Sequence, residues 1–377
     1  MILYLGLEAR VEAETGPAGK SERLLDLLKR KDGIGEPLSS VADYVAHVRE
    51  VAESWQDEDW RERSRDEDYA LNDTRIVGRV WFRGHGGCEL SLKPRLYREE
   101  LWARLRRLAP EGVGNAADQD DLLFEDLFDL EHEMRIDFTS YGHLLNESNQ
   151  AKTHIDWYFL MQHHSVPTRL LDWSTNALAA LFFAVEAYGG RLVGGQPSGR
   201  AATPDGRSGD EDCVAVWAID AYWLADRLSD EWVAPLLPYS EDAARYLPPL
   251  ERLIERFKDA RALVPKHPMP IEPPAMHPRV ASQEGRFVVF GRGRDLLQEK
   301  IRLERTDDCI EKELRVKQIR FKVSDHDAVL RELAQLGVSR RTLYPDLGGL
   351  ADFVHWKHFH VVRGRGPGTK RETTAPS

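Results

Sequence analysis

One stretch of the 377-residue chain, RLLDWSTNALAALFFAVEAY from Arg169 to Tyr188, restricts the possible folds more than any other. It opens on an extended RLLDW and passes through Ser174, Thr175 and Asn176, residue types that accept hydrogen bonds from the first N–H groups of a helix. It then continues as an Ala/Leu/Phe-rich run apolar on all sides. A helix without a polar face has to be covered all round, so this one belongs in a core and other elements must enclose it. Short β-rich runs lie far from it and from one another: RIVGRVWFRGHGG ending in glycines, VAVWAI at Val214 to Ile219, RFVVFG at Arg286 to Gly291 and KQIRFKV at Lys317 to Val323. Helical spacing fills much of the chain between them. The pattern predicts an α+β fold in which a mixed or antiparallel sheet collects strands from across the chain and is surrounded by helices.

The helical segments carry their own signals. SSVADYVAHVREVAESW has Ser39 or Ser40 as N-cap, and DHDAVLRELAQLG has Asp325 as N-cap and Gly337 as its stop. SERLLDLLKR from Ser21, the stretches from about Tyr97 to Leu108 and Asp121 to Phe138, and Thr153 to His164 also read as helices. Pro167 disfavours the α region at Val166 and ends the last of these. The charged DEDWRERSRDEDYALNDTR reads as linker, and the section before Arg286 as helical and broken by prolines.

Composition bounds the function classes. The formal net charge of −11 repels polyanions globally, which weighs against a general DNA-coating role and leaves room for a local basic pocket. Cys88, Cys213 and Cys309 lack metal spacing and form no disulfide framework, which suits a reducing, cytoplasmic compartment. No export signal or membrane-spanning run is visible, so no membrane partner is expected, and no feature fixes an oligomeric state.

Three segments combine residue types that a core alone would not select. Arg83 ends an apolar run beside Gly84, His85 and Gly86, placing a guanidinium next to backbone that can approach a ligand or, alternatively, a paired carboxylate. Arg169 and Asp172 flank two leucines, and the plain reading pairs them as a salt bridge. Ser174, Thr175 and Asn176 are helix caps, and a capped helix end also suits an anion. Gln283 and Glu284 precede Gly285 at a strand start, as turn residues or as a catalytic acid. Trp173 belongs to a set of tryptophans expected mostly in the core, although one ring could stack on a base. His163 and His164 are adjacent, so their side chains should diverge on a helix, and no metal site is expected.

Trp81-Phe82-Arg83-Gly84, LKPRLYR at Leu92 to Arg98, QHHSVPTRLLDWSTNALAALFFA at Gln162 to Ala184 and ASQEGRF at Ala281 to Phe287 together resemble the FRG domain family, named for its Phe-Arg-Gly triplet. TLYPDLGGLADFV at Thr342 to Val354 is similar to that family's closing segment. The resemblance covers roughly Val80 to Val354 and implies an FRG-like domain over 76–362; helical spacing before it and Gly/Pro/Ser/Arg-rich composition give a helical segment over 1–75, a flexible loop at 189–212 and a disordered tail over 363–377. The order strand-Arg-Gly, Ser-Thr before a helix, then an acid at a late strand is also similar to ADP-ribosyltransferases of the Arg-Ser-Glu type.

That second resemblance implies NAD as a substrate in a toxin or anti-phage defence setting, with a protein or nucleic-acid acceptor. Arg83 would hold the diphosphate, Gly84 would receive the nicotinamide amide, and Ser174 or Thr175 would orient the ribose or the acid. Glu284 would be the acid, with Gln283 competing for the role because no Glu-x-Glu pair is present. His85, Arg169, Asp172, Trp173 and Asn176 complete the implied binding set. A non-catalytic nucleotide or nucleic-acid binding module, and a nuclease or NAD glycohydrolase using the same pocket, are the alternatives.

Overall fold

Alternation along β1 (Val80–His85) decides which side of the sheet each neighbour covers. Trp81 points into one apolar layer, while Phe82 points into the other. The structure is a computed structural model, describing residues 37–55, 78–98, 116–145, 151–193, 212–228, 234–249, 264–274, 277–293, 297 and 315–361. Within them β1, β2 (Leu170–Ser174), β3 (Cys213–Asp220), β4 (Met269–Ile271), β5 (Gly285–Val289) and β6 (Val316–Lys322) form one antiparallel sheet in the order β4-β5-β2-β1-β3-β6. Four neighbouring pairs have extended registers, but β1 and β2 pair only at Phe82 and Ser174 and splay from there. This is the α+β architecture anticipated from the sequence.

The first layer packs Trp81, Leu171, Trp173, Trp217 and Val288 against Leu96, Tyr97 and α2 (Ala116–Gly142) through Leu127 and Phe128. On the opposite face Phe82, Val216, Ala218 and Phe321 lie under α4 (Ala177–Val193), the apolar helix read from the sequence, with α1 (Val41–Ser54) and α8 (His326–Gln335) completing the cover. Nearer β4, the same face packs Leu170, Phe287 and Val289 against α3 (His154–His163) and α6 (Glu241–Tyr246). Helix α4 lies so close to β1 that a Cβ on Gly84 would sit 2.0 Å from the Ala180 carbonyl oxygen. Gly84 therefore has a packing reason that needs no ligand.

Local chemistry sets the element ends. Ser40 accepts from the Asp43 N–H, Thr153 forms a capping box with Asp156, and Asp325 accepts from the Ala328 N–H. Gly337 closes α8 at φ 88°. Helix α5 (Ala221–Leu228) follows β3 directly, and its first N–H groups at Tyr222 and Trp223 donate to buried Asp220, which also pairs with Arg79 and Arg315. Strand β4 was not anticipated: its three residues, Met-Pro-Ile, lie in the section read as helical. Helix α1 is tied to the sheet region through Tyr44, whose hydroxyl donates to the Ala177 carbonyl, and through the Leu38–Phe321 bridge.

The expected helix at Ser21, the linker, most of the Tyr97 to Leu108 helix, most of the 189–212 loop and the 363–377 tail lie outside the described residues. So does Cys309, while Cys88 and Cys213 are unbridged. No helix among the described residues is long and apolar enough to cross a membrane.

Candidate functional site

The splay between β1 and β2 is where Arg83 sits. Its Nη1 donates to the Asp172 carbonyl at 2.6 Å, supplying a bond across the gap, and its Nε donates to His85 Nε2 at 3.0 Å. The nearest Asp172 carboxylate oxygen is 3.8 Å away, outside hydrogen-bond range. Gln162, in the last turn of α3, directs its amide nitrogen to both Asp172 oxygens at 3.0 and 2.9 Å and receives the Thr168 hydroxyl on its own oxygen. Burial pulls the Arg83 pKa down to about 10, with Asp172 opposing the fall and Arg98 adding to it. The same surroundings, burial first and then Arg83 and Arg98, hold His85 down to about 3, so it stays a neutral acceptor.

A cavity of about 230 Å³ opens here, lined by Arg83, Arg95, Arg98, Gln162, Asp172 and the Ser165–Val166 turn, with Leu170 and Leu171 behind. The sequence reading assigned no role to Arg95 or Arg98. The short 3-10 turn Arg95–Tyr97 presents them because Leu96 and Tyr97 between them are fully buried. Leu96 N–H donates to the Thr168 carbonyl, Tyr97 hydroxyl to the Gly291 carbonyl and Arg95 to the Ser165 carbonyl. The spacing of RLYR was the available signal, since two inward anchors leave the flanking arginines facing out.

A second group gathers at the end of β2. Thr175 Oγ1 donates to Glu284 Oε2 at 2.6 Å and its N–H to the Glu284 carbonyl, while Ser174 Oγ donates to the Gln283 carbonyl at 2.7 Å. Glu284 adopts φ 48°, a left-handed conformation uncommon for a residue with a side chain, at the turn between α7 (Pro278–Ser282) and β5. Gln283 turns the other way and donates to the Leu343 carbonyl of α9 (Arg340–Leu343). Of the two, Glu284 is therefore the one whose side chain lies at the exposed end of β2. Asn176 caps α4, its side-chain oxygen accepting the Ala179 N–H, as the sequence implied.

Two assignments are corrected. Arg169 does not pair with Asp172: it is fully buried, and Nε donates to Glu131 Oε2 at 2.8 Å, Nη1 to the Phe290 carbonyl and Nη2 to the Tyr246 carbonyl. Asp172, two strand positions from Leu170 on the same face, is exposed at the cleft instead. Trp173 faces the opposite layer and is buried with Trp81 and Trp217, so it cannot stack on a ligand in the cleft.

The histidines also differ from expectation. His164 leaves the helix as its C-cap, which brings its ring centroid to 4.9 Å from that of His163, and the His277 ring lies 3.7 Å from His163, tilted by 41°. No group of three or more His, Cys, Asp or Glu among the described residues is placed to share a metal ion.

Residues 78–189 match the family model for the FRG domain. The chain carries an FRG domain. The FRG match runs from the start of β1 to near the end of α4 and contains Arg83, Arg95, Arg98, Gln162, Asp172, Ser174 and Thr175, whereas Glu284 lies beyond it. No curated protein and no solved structure matches the chain.

Proposed function

We propose that this FRG domain protein binds NAD along the β5-β2-β1 strands and transfers ADP-ribose from it to an acceptor. The observation that carries the reading is placement. Arg83 on β1, Ser174 and Thr175 at the end of β2, and Glu284 at the start of β5 lie on three contiguous strands, although 200 residues separate the first from the last. Asp172, on β2 beside Arg83, and Thr175, just past the end of β2 and bonded to Glu284, are three residues apart, roughly 10 Å at strand spacing. That span suits a ligand with its diphosphate at Arg83 and a ribose at Glu284.

In this arrangement Arg83 gives charge-assisted hydrogen bonds to the diphosphate. The bond between the ribose C1′ and the nicotinamide nitrogen breaks, its electron pair leaving with nicotinamide. Positive charge builds on the ribose, and the Glu284 carboxylate, oriented by Thr175, stabilises it. The acceptor nucleophile bonds to C1′ and gives its proton to Glu284.

Release of free nicotinamide from NAD, with and without added protein or nucleic-acid acceptor, tests the reading. Wild type should release it, and Glu284→Gln and Arg83→Ala should each lower the rate by about 100-fold or more while remaining folded. Full turnover in folded Glu284→Gln would remove Glu284 from the mechanism. A nucleotide-binding module without turnover is the second reading, favoured by the Arg83 cavity having Asp172 as its lining carboxylate, with Glu284 outside it.

A further inference from the structure

We infer that Arg95 and Arg98 complete, with Arg83, a pocket for a phosphoryl group bearing at least two negative charges, and that the diphosphate of a nucleotide is the ligand class it takes. Only the identity of the nucleotide rests on the NAD reading; the pocket itself rests on charge, size and anchoring. Three guanidiniums and one carboxylate line the cavity. That carboxylate, on Asp172, is already held through both oxygens by Gln162 and comes no closer than 3.8 Å to Arg83. Like charges gathered at a partly dehydrated site repel one another, and an entering anion relieves that repulsion while accepting the forked N–H donors that suit phosphate oxygens.

Size narrows the ligand. A cavity of about 230 Å³ falls below the roughly 300–1,000 Å³ that encloses a whole drug-sized molecule. It has room for the phosphates, with the nucleoside parts lying outside toward the end of β2. Anchoring fixes the donors in advance: buried Leu96 and Tyr97 lock the turn between the arginines, and the Ser165 carbonyl holds Arg95 at 2.6 Å. The LKPRLYR segment thereby gains a role in ligand binding as well as in packing. Arg95 and Arg98 are both exposed, so their side chains can be changed without opening the core.

Calorimetric titration of the full chain with pyrophosphate at fixed ionic strength tests the pocket, using wild type, Arg95→Gln, Arg98→Gln and, as a remote charge control on α8, Arg331→Gln. Saturable binding is expected in wild type and in Arg331→Gln, weakened about tenfold or more in each pocket variant. No saturable binding in wild type, wild-type affinity in both pocket variants, or equal weakening in the remote control would overturn the pocket. Arg95→Lys and Arg98→Lys, which keep the charge and lose the fork, stand in if a glutamine variant fails to fold, and weakening is expected there too. Nicotinamide release run in parallel separates the two readings. Pyrophosphate binding that depends on Arg95 and Arg98, without nicotinamide release, keeps the pocket and removes the NAD reading. Nicotinamide release with an unchanged KM for NAD in both pocket variants does the reverse.

Discussion

Arg83, on β1, and Arg169, the residue immediately before β2, show how differently one side chain can be used. Arg169 is wholly buried, with a carboxylate at 2.8 Å, two backbone carbonyls and the Phe128 ring, 5.3 Å away, around its guanidinium. Glu131 and its neighbours raise its pKa against the opposing pull of burial. Arg83 has a carbonyl, a neutral histidine and no carboxylate within hydrogen-bond range, and burial draws its pKa down. The first arrangement is closed and holds α2, β2, β5 and α6 together. The second leaves donors and charge facing a cavity, which is how a binding group differs from a structural one.

The sharpest way to break that contrast is to delete each arginine. Arg169→Ala leaves Glu131 buried and unpaired and should destabilise the protein by about 3–5 kcal/mol. Arg83→Ala should cost about 1 kcal/mol or less, because lost hydrogen bonds are offset by relief of repulsion from Arg98. Urea or thermal melts of the two variants check the difference, and equal losses would abolish it. Gly84→Ala should rank next, at about 1–3 kcal/mol, because the added methyl collides with the Ala180 carbonyl and forces α4 away from β1. A melt indistinguishable from wild type would show that α4 is not seated so tightly.

A further test lies in pH. His85 and His163 are both held to about 3 by burial and cationic or imidazole neighbours, against an ordinary value of 6.5. As pH falls below 6.5 the unfolded chain takes up these protons first. Stability should therefore be complete above 6.5 and decline as pH falls toward 3. Replacing His163 with Gln should flatten the slope between pH 7 and 5 measured by denaturant unfolding; an unchanged slope would deny it that share.

Much of the fold could be read from local chemistry. The caps at Ser40, Thr153 and Asp325, the all-apolar α4 and five of the six strands have signals within a few residues of where they act. Strand β4 escaped because three residues with a central proline carry no alternation. Arg169 was misassigned because its partner, Glu131, lies 38 positions upstream on another element, while Asp172 lay conveniently three residues away. Arg83 and Glu284 could be singled out as residue types beside glycines. That Arg95 and Arg98 converge on Arg83 depends on the docking of the Arg95–Tyr97 turn onto the Thr168 and Gly291 carbonyls, contacts between segments that no local pattern encodes.

Thermal melting with and without NAD puts the central claim to its most direct test. Wild type should melt higher with NAD, while Arg83→Ala should melt close to apo wild type and show no shift when NAD is added. An equal NAD shift in both proteins, or an apo Arg83→Ala as unstable as Arg169→Ala, would contradict the account of Arg83 as a binding group.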